Sequence, residues 1–250
     1  DTIGISEGWN WIGHPPQESY EINEALESLN HTMTGDLVKS QESYAQYLEN
    51  YGWFGSLSYM SPKQGYQFKS SNDDTLLYPF TVAGTLLNSP GIGDSSTAQP
   101  VASNRDNPMW EVDANQYSGS MNITARLVTL DSSTINPNDV LAAFDSDGVV
   151  RGVGYPQYIE PVDEYLVFLT VYGHSGLNQS ITFQVYHEQT DQILHVPDIV
   201  LYEENSIMGS ILDPYVLDAR TLQVGDNGFI PDKFSLSQNC LLYTSDAADE

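Results

Sequence analysis

The carboxy-terminal half of the chain contains short runs in which apolar and polar side chains alternate. In residues 121–127 the odd positions are apolar, and Asn122, Thr124 and Arg126 lie between them; residues 181–185 repeat the pattern. Successive residues of a strand point to opposite faces of its sheet. Each run therefore predicts a β-strand with one face in a core and the other in solvent.

Residues 165–172 differ from these runs because they are apolar at nearly every position. A strand that is apolar on both faces is expected at the centre of a sheet. Turn-forming residues separate it from further apolar runs at 140–144, 149–153, 193–196, 199–202 and near Ile211. About eight short strands with this punctuation predict an antiparallel β-sandwich over residues 109–222.

The amino-terminal segment, residues 3–83, mixes two periods. Ile22, Leu26 and Leu29 recur at the spacing of one helix face and predict a short amphipathic helix. Strand-like runs surround it at 9–12, 36–38, 44–48, 51–57, 66–69 and 76–78. The predicted fold is therefore mainly β, with a small α+β domain followed by the antiparallel β-sandwich.

Two stretches rich in Gly, Pro, Ser, Asn and Asp interrupt these patterns, at residues 84–108 and 223–233. Neither shows a sustained period, so both are predicted to be linkers. If residues 84–108 form a domain boundary, each flanking segment is expected to fold on its own.

Charge narrows the choice of partners. The chain has 34 acidic and 8 basic residues, for a net charge of -26. Nucleic acid and anionic membrane surfaces are disfavoured, because binding either needs clustered Lys and Arg. No apolar run reaches the roughly 18 residues of a membrane-spanning helix, so none is expected.

Aromatic residues crowd the amino-terminal segment, among them Trp9, Trp11, Tyr51 and Trp53. We expect these rings to form its core, since a domain of about 80 residues needs large side chains to bury enough area. The alternative is an exposed platform that stacks on sugar rings. In that case these four residues are the ligand-binding candidates.

The run from Asp145 to Gly148 places Asp145 and Asp147 one residue apart between two predicted strands. A polar hairpin turn is the expected structure, because Asp and Gly adopt the required backbone angles. The alternative is a weak calcium site completed by Asp131, Asp139 or backbone carbonyl oxygens. No other cofactor is predicted.

The five histidines form no metal-binding motif, and we expect them at the surface or in turns. The chain also lacks a nucleophile elbow and a phosphate-binding loop.

The carboxy terminus changes character between Asn239 and Cys240. Residues 234–239 resemble the start of the sorting signal carried by cargo of the type IX secretion system. Residues 240–250 resemble the in-frame translation of a sequencing adapter, so we expect them to be an artefact outside the fold.

Several ordered motifs are similar to accessory modules found near the carboxy ends of large extracellular bacterial proteins that carry this signal. They lie at residues 8–13, 22–26, 35–41, 51–57 and 62–66 in the first segment, and at 110–112, 117, 120–121, 142–144, 151–153, 168–173 and 181–183 in the second. The resemblance implies a secreted, cell-surface protein that engages the type IX secretion machinery.

The resemblance also implies a non-catalytic role, with no catalytic residues. Spacing, adhesion or presentation of another domain is the function expected first. The alternative is a carbohydrate-binding module that serves a hydrolase and contacts surface polysaccharide.

Overall fold

The computed structural model describes residues 2–79, 110–129, 135–176 and 179–220, and the structural statements below concern these residues. The fold is mainly β, as predicted. We call residues 2–79 the first module and residues 110–220 the second module. The predicted linkers at 84–108 and 223–233, the sorting signal at 234–239 and the adapter at 240–250 lie outside the described residues.

The first module is built on a five-stranded antiparallel sheet with the order β2-β8-β4-β5-β6, beside which β1 pairs with β9 and β3 pairs with β7. Its elements are β1 (Thr2–Ile5), β2 (Gly8–Gly13), β3 (Tyr20–Glu21), α1 (Ile22–Ala25), β4 (Leu37–Lys39), β5 (Tyr44–Leu48), β6 (Gly52–Gly55), β7 (Tyr59–Met60), β8 (Gly65–Ser70) and β9 (Asp74–Leu77).

The predicted amphipathic helix is only one turn long. The Glu21 carboxylate caps α1 by accepting hydrogen bonds from the N–H groups of Asn23 and Glu24. The helix ends at Ala25, and a turn follows in which the Ser28 hydroxyl accepts a 2.7 Å bond from the Leu77 N–H on β9. Leu26 and Leu29 are nevertheless buried, so the spacing identified core residues but overestimated the helix.

The core of the first module lies on one face of its sheet. Val38, Trp53 and Phe68 project from three strands and pack with Ile22 and Leu26 from the region of α1. Aromatic contact tightens this core, with 5.7 Å between the ring centroids of Trp53 and Phe68.

The second module is the predicted sandwich of two sheets. One sheet has the order β13-β14-β10-β17, with β18 also paired to β10, and the other has the order β12-β11-β15-β16. The strands are β10 (Gly119–Thr129), β11 (Val140–Phe144), β12 (Val150–Gly154), β13 (Pro156–Ile159), β14 (Glu164–Gly173), β15 (Ser180–His187), β16 (Gln192–Leu201), β17 (Ile207–Met208) and β18 (Tyr215–Ala219).

Three details of the sandwich differ from the prediction. The two runs at 193–196 and 199–202 are one strand, β16, with an irregular register opposite residues 182 and 183 of β15. Ile211 is buried in a bend between β17 and β18, and both of these strands pair with β10 in parallel. The other strand pairs of the sandwich are antiparallel.

The sandwich core is formed where the two sheets face each other. Met121, Ile123 and Leu169 from one sheet meet Leu141 and Phe183 from the other, and all five are fully buried. Of these, the alternating pattern assigned Met121, Ile123 and Phe183 to the core.

A third cluster lies between the modules. Leu37, Tyr44 and Leu48 project from the outer face of the first module's sheet and pack against Leu166 and Phe168 on the outer face of β14. Strand β14 is therefore covered twice, by the sandwich core on one face and by the first module on the other. This explains why residues 165–172 are apolar on both faces.

The same contact shows that the polar face of β10, which was expected in solvent, is largely covered. Asn122 and Thr124 are buried, and Thr124 contacts Tyr44 and Gln46 of the first module. The Thr124 hydroxyl lies 2.9 Å from the Tyr44 hydroxyl and donates a 3.2 Å bond to Gln46 Oε1, while Asn122 Nδ2 donates to Thr170 Oγ1. The Thr124 hydroxyl is therefore paired across the boundary between the modules, whereas Asn122 Oδ1 is buried without a hydrogen-bond partner among the described residues.

The third cluster predicts how the two modules depend on each other. Polypeptides spanning 1–90 and 105–224 should each fold on their own core but melt below the intact chain, since separation exposes the third cluster to water. In the intact chain Phe168→Ala should cost about 3–5 kcal/mol, and in the isolated second module it should be nearly neutral.

Leu169→Ala is the matched control, because Leu169 faces the sandwich core and its loss should destabilise the intact chain and the isolated second module alike. Denaturant titration measures each effect. An equal effect of Phe168→Ala in the intact chain and the isolated module would show that the third cluster does not stabilise the chain.

Candidate functional site

The two tryptophans of β2 are exposed, which corrects the expectation that they form the core. Trp9 retains 43% and Trp11 78% of its accessible surface, whereas Ile12 on the same strand is buried. Strand β2 is the edge of the five-stranded sheet. Its outer face carries both indoles and lies beyond the strands β4, β5 and β6, where the second module docks.

The other two aromatic candidates lie elsewhere. Trp53 is buried on the inner face, in contact with Tyr47 and Phe68, so the core expectation is correct for this residue. Tyr51 is 62% exposed, but it lies in the turn between β5 and β6. The structure therefore brings together only Trp9 and Trp11 of the four sequence-based candidates.

We call the outer face of β2, with its two indoles, the Trp9–Trp11 face. Lys39 links this face to the second module. Its ammonium lies 5.3 Å from the centroid of the Trp9 ring and donates a 3.0 Å hydrogen bond to Asn205 Oδ1. Burial lowers the pKa of Lys39, and the nearby Glu204 carboxylate opposes part of that shift. Lys39 is thus a largely desolvated cation that spans the boundary between the modules.

A cleft of about 480 Å³ opens beside this contact, between the two modules. The first module lines it with Trp11, Lys39, Ser40, Gln41, Gln64 and Gln67. The second module lines it with Tyr117, Ser118, Ser120, Tyr172, Glu204 and Asn205. The described lining has one cation and one anion, and apart from the methyl group of Ala114 its other side chains are aromatic, hydroxyl or amide groups.

The wall from the second module is held in place by several contacts. The Arg151 guanidinium carbon lies 4.6 Å from the centroid of the Tyr117 ring, and Tyr117 stacks on Tyr172 at 6.1 Å. Asp113 caps the short 3-10 helix at Ala114–Gln116 that leads into Tyr117. These contacts hold the Tyr117 ring in place in the free protein, so binding a ligand would not have to order it.

The Asp145 carboxylate is fully engaged within its hairpin. Its Oδ1 accepts 2.9 Å bonds from the N–H groups of Asp147 and Val149, and its Oδ2 accepts a 2.8 Å bond from Arg151 Nε. Gly148 adopts a left-handed φ of 77°, which suits the turn. The second calcium candidate, Asp147, lies at the exposed tip of this turn.

The other two carboxylates proposed for calcium are hydrogen-bonded to other groups or lie outside the described residues. Asp139 is buried and accepts hydrogen bonds from the N–H groups of Asn136 and Glu188. Asp131 falls outside the described ranges. Within those ranges, no three His, Cys, Asp or Glu side chains lie close enough together to hold a metal ion.

Two histidines are buried, so the surface expectation is wrong for them. The His14 ring packs edge-on to Tyr78 at 4.8 Å, and its Nε2 lies 2.9 Å from the Glu18 carbonyl oxygen. The His187 Nδ1 lies 2.9 Å from Thr190 Oγ1. Each ring thus makes one hydrogen bond, while its other nitrogen, His14 Nδ1 or His187 Nε2, is buried without a hydrogen-bond partner among the described residues.

Sequence reasoning missed most of the residues that line the cleft. Lys39, Tyr117 and Asn205 come from separate parts of the chain and meet only because the modules dock. No local spacing relates them. The one available signal was the pair of tryptophans at i and i+2, which places both indoles on one face of a strand.

Comparison of the chain with family models, with curated proteins and with solved structures finds no match. Among the helices of the described ranges, none has the length and apolar content needed to cross a bilayer.

Exposure predicts opposite outcomes for two tryptophans of the first module. Trp11→Ala should change the free energy of unfolding by no more than about 0.5 kcal/mol, because the indole already faces water. Trp53→Ala should cost about 3–5 kcal/mol, because it leaves a cavity in the core. Denaturant titration of both variants distinguishes them, and a large loss in Trp11→Ala would contradict the exposed position.

The hydrogen bonds and the ion pair of the Asp145 carboxylate predict a contribution to stability that is lost in acid. Burial disfavours its charge, but the hydrogen bonds from Val149, Arg151 and Asp147 and the charge of Arg151 outweigh burial and hold the pKa of Asp145 below its ordinary value of 3.8. A lowered folded-state pKa stabilises the fold above the unfolded-state value, and this contribution disappears as the pH falls through the folded-state pKa.

Asp145→Asn should therefore cost about 3–5 kcal/mol at pH 7, since it leaves the buried Arg151 charge without its partner. The difference from wild type should narrow below about pH 4. Asp147→Asn, in the same turn, should be nearly neutral. Equal stability of Asp145→Asn and wild type at pH 7 would contradict the role of this pair.

Proposed function

We propose that the chain is a non-catalytic accessory region of a secreted, cell-surface-attached bacterial protein, and that it serves adhesion by binding a saccharide on the Trp9–Trp11 face. The resemblance of its ordered motifs to accessory modules of type IX secretion cargo supports the location and the accessory role. The Trp9–Trp11 face and the adjoining cleft support the saccharide.

The exposure of Trp11 carries this proposal. An indole that is 78% exposed leaves a large apolar surface in water, and exposed apolar surface beside a cleft is typical of a binding site. Trp9 projects from the same face of the same strand. The apolar C–H face of a sugar ring can cover an indole while its hydroxyl groups keep contact with polar side chains or water.

The composition of the cleft supports the same ligand. Gln64 and Gln67 lie beside Trp11, and their amides can both donate and accept hydrogen bonds. Sugar hydroxyls also donate and accept, so amide and hydroxyl side chains suit them. An aromatic surface bordered by such groups combines stacking with directional hydrogen bonds.

Presentation of another domain is the second candidate function. The third cluster favours it, because Leu37, Tyr44 and Phe168 join the two modules through buried apolar contacts. Modules coupled in this way would hold a neighbouring domain at a more defined distance than modules joined only by a linker. This role is compatible with saccharide binding.

Saccharide binding predicts a specific effect of Trp11→Ala. Wild type should give a saturable change in tryptophan fluorescence with at least one polysaccharide from a panel of mixed-linkage glucan, galactomannan, arabinoxylan and polygalacturonate. It should also be retained on insoluble cellulose or chitin if the ligand is of that class. Trp11→Ala should weaken binding at least about 30-fold, a loss of roughly 2 kcal/mol.

Tyr59→Ala is the matched control, because Tyr59 is 54% exposed and does not line the cleft. It should bind as wild type does. Absence of binding by wild type across the panel and on both insoluble polymers would contradict saccharide adhesion and leave presentation as the stronger function.

A further inference from the structure

We propose that the saccharide lies across the boundary between the modules and is uncharged, with Trp11 of the first module stacking on one ring and Tyr117 and Asn205 of the second module contacting the same ligand. This inference rests on the proposed saccharide binding and specifies its site and ligand class. The first module alone would then offer only part of the site.

The lining of the cleft is the first support. It is one continuous space of about 480 Å³ to which both modules contribute. Trp11 and Gln67 lie on its first-module side, and Tyr117, Ser118 and Asn205 lie on the other side. A ligand that stacks on Trp11 and fills the cleft would therefore also contact the second module.

The orientation of the Asn205 amide is the second support. Lys39 can only donate hydrogen bonds, so the atom 3.0 Å from its ammonium must be the amide oxygen of Asn205. The other terminal group of the Asn205 side chain is therefore the Nδ2 amino group, which is a hydrogen-bond donor. A hydroxyl oxygen of a sugar is a suitable acceptor for it.

The backbone of Asn205 is fixed as well. Asn205 adopts a left-handed φ of 62°, a conformation that asparagine tolerates better than most residues. Its N–H donates a 2.9 Å bond to the Ser120 carbonyl oxygen at the neighbouring edge of the cleft. A donor held by both its backbone and its side chain loses little conformational entropy on binding.

The charged groups around the cleft favour an uncharged ligand. The Lys39 ammonium already contacts Asn205 and the Trp9 ring, and the Glu204 carboxylate contributes a favourable interaction with it. An anionic sugar would have to approach Glu204 and a chain of net charge -26. A cationic sugar would have to approach Lys39. An uncharged saccharide avoids both costs.

Tyr117 gives the ligand a second aromatic contact. Arg151 lies over the Tyr117 ring, and the ion pair between Arg151 and Asp145 anchors that guanidinium. The Asp145 hairpin therefore acts at a distance from the ligand, by positioning the guanidinium that braces Tyr117. Neither Arg151 nor Asp145 needs to touch the sugar.

The test uses the intact chain and measures affinity for the same polysaccharide panel. Asn205→Ala and Tyr117→Ala should each weaken binding of the preferred neutral polysaccharide at least about tenfold, as expected for loss of one hydrogen bond or one aromatic contact in a binding site. Asn138→Ala, an exposed asparagine outside the cleft, should bind as wild type does.

The melting temperature of each variant shows whether lost binding reflects lost folding. If Tyr117→Ala lowers it by several degrees, Tyr117→Phe provides the second measurement, because it keeps the ring and should retain most of the affinity. Polygalacturonate should bind at least about tenfold more weakly than the preferred neutral polysaccharide at low salt.

The outcomes separate this inference from the function on which it rests. If Trp11→Ala abolishes binding while Asn205→Ala and Tyr117→Ala do not change it, saccharide adhesion stands and the bridging site is overturned. If polygalacturonate binds as tightly as the neutral polysaccharides, the uncharged ligand class is overturned. If wild type binds none of the panel, both proposals are overturned.

Discussion

The arrangement of this protein depends on the packing of β14 and β10 against the sheet of the first module. Leu166 and Phe168 supply the apolar part of that contact, and Tyr44, Gln46 and Thr124 supply a buried polar part. The apolar contacts contribute free energy without direction, while the hydrogen bonds fix how the two surfaces align. Burial also raises the pKa of Tyr44, so its hydroxyl remains neutral in this network.

The candidate site exists because this packing covers only part of the first module's sheet. The second module docks over β4, β5 and β6, and the edge strand β2 remains outside the contact. Lys39 lies on the border, with Asn205 on one side and Trp9 on the other. The contact that buries one half of the sheet face therefore creates the wall of a cleft beside the other half.

The sequence predicted most of the strands, since the alternation of side chains is a local property. Residues 44–48 and 140–144 were predicted with the bounds that the structure has. Alternation shows that two faces differ, but it does not show what covers each of them. Trp9 and Trp11 were therefore expected inside and lie outside, while Asn122 and Thr124 were expected outside and are buried.

In both cases the sequence did not show which surface packs against each face of the strand. The docking of the two modules also accounts for the cleft, because Lys39, Tyr117 and Asn205 become neighbours only after two separately patterned segments dock. Pairings between distant segments leave no spacing in the sequence. The double apolar pattern of residues 165–172 was the one local sign of a second covered face.

A strand with two buried faces also restricts which changes in chain length the fold can tolerate. Val167, Leu169 and Val171 face the sandwich core, and Leu166 and Phe168 face the first module. Gain or loss of one residue within β14 would exchange the two sets and turn Thr170 toward the sandwich core. In a strand with one solvent face such a slip disrupts a single core, whereas in β14 it would disrupt both the sandwich core and the contact between the modules. Insertions and deletions should therefore be confined to the turns at its ends.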